Sequence, residues 1–194
     1  LKLKNFSNII DNVELLEIFS LVFPEFKNIN RLKNFNFFKK YIENSELLFL
    51  SILTIDSQGN HEYFYHKYKV SNKIHDNLDI LGKKFKEFKT NKEFFKKNLK
   101  SNLYSIGLKN FKILFCLYSL EKNKISMKDI GFLKNIDKIS IPKFPFNGKI
   151  LLAKGIKEGK KIGIILKEAE KTWAQNNFNL SSKDLETIIK KNTV

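Results

Sequence analysis

Apolar positions recur along this chain at intervals of three and four, the spacing that lines one face of an α-helix. Val13, Leu16, Phe19 and Phe23 form the first such series. Asp11 to Glu14 precede it as a capping box, the Asp11 side chain accepting from first-turn amides and Glu14 reaching back. Pro24, which lacks an amide donor, ends this helix. A second helix is expected over residues 29–42 and a third, strongly apolar one over 47–55. The cluster Asp56-Ser57-Gln58-Gly59-Asn60 marks a turn. Further helices are expected over 62–70, over 72–86 with Ser71 as cap, over 99–120 with a bend or break at Gly107, and over 127–134. The short β-branched runs read better as buried helix faces than as strands, so the expected fold class is all-α.

Pro142 and Pro145 make residues 139–146 an extended connection. They divide the chain into a helical body, residues 1–140, and a small helical tail, residues 141–194. In the tail, Gly155 follows a short helix over 149–154 and can take the left-handed conformation that ends it. Gly159 opens the next helix, and Gly163 lies one turn further in. Glycine inside a helix costs about 1 kcal/mol relative to alanine, so Gly163 points to a close backbone approach, by a packed helix or by a phosphate. Trp173, four residues after Ala169, reads as a core anchor.

Composition changes the picture in one respect. The net charge is +16 and the pI 9.7, which suits a polyanionic partner such as nucleic acid. Arg31 is the only arginine and alanine occurs only at 153, 169 and 174, a bias that an AT-rich genome imposes whatever the protein binds. Ten lysines between Lys83 and Lys112, interleaved with Phe85, Phe88, Phe94 and Phe95, read as the solvated face of amphipathic helices. Cys116, alone and inside an apolar run, reads as a buried inert thiol. His61 and His66 are five apart, the wrong spacing for a zinc pair at i and i+4, and His75 stands alone. These histidines read as surface or core residues, not as ligands. No signal peptide or spanning segment is recognisable, and a cytoplasmic protein without membrane association is the expectation.

The tail carries the densest chemistry. A helix–turn–helix with a glycine-bearing turn and lysines at its second N-terminus meets the requirements of a phosphate clamp: outward amides, a favourable dipole and nearby cations. Gly155, Gly159 and Gly163 with Lys143, Lys149, Lys157, Lys160 and Lys161 are the candidate RNA-binding residues. The same pattern also fits a compact hairpin whose glycines serve packing, and the residues alone leave both readings open.

The stretch from Phe144 to Phe178 resembles the tail of bacterial class II CCA-adding tRNA nucleotidyltransferases and the related poly(A) polymerases. Phe144-Pro145-Phe146, Gly148, Leu151, Gly155-Ile156, Gly159, Ile162-Gly163, Trp173 and Asn177-Phe178 fall at that family's spacing, with Ile150 where the family has aspartate. Val22-Phe23-Pro24-Glu25, Tyr68 to Lys73 and Leu103-Tyr104-Ser105-Ile106-Gly107 resemble family motifs further upstream. The resemblance implies a C-terminal portion that grips tRNA, or another RNA, by phosphate and shape. The family's head carries G-S-x-R and a D-x-D pair that holds two metal ions, and its neck carries E-D-x-x-R; this sequence contains none of the three. No catalytic residue and no metal ligand is therefore expected in the chain. Mg2+ and nucleoside triphosphates would belong to a separate catalytic head. Such a chain, beginning at Leu1, would be catalytically incomplete on its own, with CCA addition and poly(A) synthesis both open as the family activity. The alternative is a stand-alone or degenerate helical RNA-binding or scaffold protein from a disrupted gene.

Overall fold

A computed structural model describes residues 12–91, 93–97, 99–122, 125–156 and 159–193. Among them are eleven α-helices and no strand, as the all-α expectation requires. They form two units, one of residues up to 97 together with 106–138, the other of 98–105 together with 139–194. No helix of the described residues is long and apolar enough to cross a membrane.

The first unit is built around α3 (Ser45–Thr54), whose residues from Leu47 to Thr54 are all buried. A helix apolar on every side must be surrounded, and the preceding 3-10 segment, α4 (Asn60–Tyr68), α5 (Asn72–Thr90) and α7 (Leu108–Leu120) enclose it. Its two hydroxyls are satisfied internally: Ser51 donates to the Leu47 carbonyl and Thr54 to that of Leu50. Helix α5 contributes Leu78, Leu81, Phe85 and Phe88 from one face, and α7 contributes Phe111, Ile113, Leu114 and Leu117. Cys116 is buried among them, and that burial raises its thiol pKa far above the usual range. Helices α1 (Val13–Val22) and α8 (Met127–Asn135) complete the unit.

Three local expectations change. Asn12, not Asp11, caps α1, its side chain accepting from the Leu15 amide; Asp11 lies outside the described residues. Ser71 occupies the N-cap of α5 but makes no side-chain capping bond. The single helix expected over 29–42 is a 3-10 segment (Ile29–Asn34) followed by the short α2 (Phe35–Lys39). The reason lies in the spacing: Ile29, Leu32, Phe35 and Phe38 repeat every third residue, and i and i+3 eclipse in a 3-10 helix but drift apart in an α-helix. The sole arginine sits in this segment. Arg31 donates to the Ile55 carbonyl at 2.8 Å, where α3 ends, pairs with Glu121 and lies over the Phe85 ring. It serves the fold as a cationic C-cap.

The break at Gly107 (φ 80°) separates α6 (Leu99–Ile106) from α7. Residues 99–105 of α6 pack in the second unit with α9 (Gly148–Ala153), α10 (Gly159–Gln175) and α11 (Ser182–Thr193). Two clusters hold that unit. Leu151, Ile156, Ile165, Ala169, Leu185 and Ile188 form an aliphatic one. The other is aromatic, with Trp173 5.3 Å from Tyr104, 5.4 Å from Phe144 and 4.8 Å from Phe178 between ring centroids. Tyr104 also donates to the Glu170 carboxylate, and burial, reinforced by that carboxylate, pushes its pKa up to about 12.

Candidate RNA-binding surface

Residues 139–147, with both prolines, run extended into α9. Asn147 caps that helix, its side chain accepting from the Lys149 and Ile150 amides. Ile150 is the third residue of α9, the position from which an acidic side chain reaches back to complete a capping box. Ser126 with Asp129 and Ser181 with Asp184 build that reciprocal arrangement at the starts of α8 and α11. With isoleucine in the third position, Asn147 caps α9 alone. Asn147→Ala is therefore expected to destabilise the second unit by about 1 kcal/mol, measured by urea denaturation.

The end of α9 follows the expected pattern closely. Gly155 has φ 86°, its amide donates to the Leu152 carbonyl and the Ile156 amide to that of Leu151. These two bonds make a Schellman motif, and the buried Ile156 and Leu151 supply its hydrophobic contact. Much of the recurrent sequence pattern of this region is thus architecture. Leu151, Ile156 and Trp173 are core, and Gly148 faces Ile162, where an added Cβ would make only an ordinary contact at 3.5 Å.

Gly159 and Gly163 behave differently. A Cβ at either position would meet nothing within 4 Å among the described residues, so neither glycine serves their packing. Packing against the described residues, one of the two reasons the sequence allowed for Gly163, does not account for it. Both glycines are exposed on α10, and at about 100° per residue Lys160, Lys167 and Lys171 share their side of the helix. Ile165, Ala169 and Trp173 form the buried row of the helix. The first turn of α10 contains no acidic residue, so its dipole is uncompensated there by any carboxylate of that turn.

The candidate cations fall in different places. Lys143, Lys149 and Lys160 are exposed, and none has a carboxylate within ion-pair distance among the described residues; Lys154, Lys167 and Lys171 are in the same state. Lys161 is half-buried at the edge of the packed face and has a partner of its own. Lys157 lies outside the described residues. Sequence reasoning passed over Lys154, Lys167 and Lys171, although helical spacing from Gly159 and Gly163 places the last two beside them. Several lysines of the first unit contrast with these: Lys83, Lys84, Lys89, Lys109 and Lys112 pair with Asp79, Glu87, Glu121, Glu43 and Asp137.

Part of the chain is similar to CCA tRNA nucleotidyltransferase 1, mitochondrial, of mouse (33% identical over 61 residues, 31% of this chain) and of human (34% over 59 residues, 30%). The matched stretch covers 14% of the length of each relative. No family model matches the chain, and no solved structure does.

Proposed function

We propose that this chain binds tRNA through the second unit, as the RNA-holding portion of a CCA-adding type of nucleotidyltransferase whose chemistry resides in a separate catalytic head. The observation that carries the reading is the exposed side of α10, where two glycines without a packing role lie among lysines without carboxylate partners. A glycine in a helix is a standing cost, and one that touches nothing inside the protein leaves room for a partner that comes close to the backbone. A sugar–phosphate backbone is such a partner: it needs amides, cations and room, and reads no bases in return. The similarity to two tRNA nucleotidyltransferases supports tRNA as that polyanion. Gly155, Gly159, Gly163, Lys143, Lys149 and Lys160 form the contact surface, joined by Lys154, Lys167 and Lys171, with Lys161 at its edge and Lys157 included on the sequence alone.

The direct test is fluorescence anisotropy of the full chain with labelled tRNA at two salt concentrations. Binding that weakens steeply with salt, and that is shared by tRNAs of different sequence, is the expected result. Absence of binding at low salt would refute it. Gly163→Ala separates this reading from a purely structural one. The space for a methyl is open, so the variant should gain about 1 kcal/mol in thermal unfolding and still bind tRNA less tightly. A stabilised variant with undiminished affinity would remove Gly163 from the contact.

A further inference from the structure

A second constellation lies in the first unit. Helices α4 and α5 pack on each other and bring His61, Glu62 and Asp79 together, with one nitrogen or oxygen of each within 4.8 Å of the others. His61 is only 4% exposed. Gly82 of α5 makes room for it: a Cβ there would come within 2.3 Å of His61 Cε1 and 2.6 Å of Nε2. The imidazole thus rests directly against the backbone of α5. Its Nδ1 has no hydrogen-bond partner, and its Nε2 lies 3.5 Å from Glu62 Oε1, longer than a hydrogen bond. The carboxylates are held from outside by their other oxygens. His75 Nε2 is 3.2 Å from Glu62 Oε2, and Lys83 donates to Asp79 Oδ2 at 2.6 Å. Glu62 Oε1 and Asp79 Oδ1 are left for the centre.

We propose that His61, Glu62 and Asp79 are the ligands of a divalent transition-metal site of the zinc class, with His75 and Lys83 orienting the two carboxylates. One imidazole and two carboxylates make a mixed nitrogen–oxygen set that suits zinc or cobalt better than calcium or magnesium, which take mainly oxygen in larger number. Three protein ligands leave a fourth position for water. Burial lowers the pKa of His61, outweighing Glu62, Asp79 and Asp56, which raise it, while Lys86 lowers it further. Glu62 and Asp79 are only partly buried, so their side chains can close the remaining ångström or so to bonding distance, about 2 Å from the ion.

The test uses the full chain, stripped of metal by chelator and dialysis, and titrated with Co2+ and with Zn2+. One equivalent of Co2+ should bind with the visible absorption of a low-coordinate site, and Zn2+ should displace it and raise the melting temperature. Asp79→Asn and Glu62→Gln alter partly exposed helix residues and should fold normally by circular dichroism, yet each should bind Co2+ about tenfold or more weakly. His66→Gln, on the exposed side of α4, should bind as the parent does. Affinity no better than millimolar in the parent protein would overturn the proposal. So would equal affinity in the parent and in folded Asp79→Asn, which would place the metal elsewhere.

Discussion

Trp173→Ala is expected to destabilise the second unit by about 3–5 kcal/mol, the range for deleting a large buried aromatic side chain. Trp173 is 3% exposed and meets Tyr104, Phe144 and Phe178 edge-on. It is the common neighbour of three stretches of chain: α6, the extended segment before α9, and the turn after α10. Losing it leaves a cavity and removes three edge-to-face contacts together. Because Trp173 is the only tryptophan, the variant must be followed by circular dichroism or amide exchange over α10, whereas fluorescence serves the parent protein. Trp173→Phe keeps an aromatic ring in the cluster and should lose much less. It should also bind tRNA like the parent, because a buried ring offers no face on which a base can stack. Weaker tRNA binding by a stable, folded Trp173→Phe protein would contradict the assignment of this residue to the core.

The sequence showed where helices start and stop best at places governed by local chemistry. The turn at Asp56 to Asn60 forms as expected, the Asp56 carboxylate accepting from the amides of Gln58, Gly59 and Asn60. The left-handed Gly155 does too, because only the chain from Leu151 to Ile156 takes part in that motif. Features that depend on distant partners were hidden. Leu103 and Tyr104 continue the apolar pattern that leads into α7, and nothing in that pattern tells them to pack with Trp173 instead. The three-residue period from Ile29 to Phe38 was present but merged with a helical reading, since three and four alternate freely in amphipathic helices.

The candidate sites divide in the same way. Spacing could place the glycines on a helix but could not say whether Gly163 had a neighbour; the open space above it is a property of the fold. Lys160 and Lys161 look equivalent as adjacent residues, yet one turns to solvent and the other toward the packed edge. The metal constellation was illegible for a stronger reason. Histidine spacing within one helix was the wrong test, because Asp79 comes from α5, and Gly82, which admits His61, signals nothing until α4 is laid against it. In each case the missing information was the partner element, which periodicity does not encode.

Neutralising the exposed side of α10 with Lys160→Gln, Lys167→Gln and Lys171→Gln together is expected to weaken tRNA binding by about two orders of magnitude at roughly 0.15 M salt. The estimate follows from counterion release: each lysine on a phosphate contributes nearly one power of the salt concentration, so three should also flatten the salt dependence by about three powers. Stability should move little, or rise. Glutamine matches lysine in helix propensity, none of the three lysines has a carboxylate within ion-pair distance among the described residues, only Lys171 attracts the nearby Glu168, and Lys160 opposes the dipole in the first turn of its helix. A matched change in the first unit, Lys84→Gln, Lys89→Gln and Lys109→Gln, removes the same charge from residues already paired with Glu87, Glu121 and Glu43. It should leave tRNA affinity nearly unchanged. Equal losses from the two triple variants would mean that total charge, not the glycine-lined side of α10, holds the RNA. Loss confined to the α10 variant would tie binding to the side of α10 where exposed lysines and open glycines coincide.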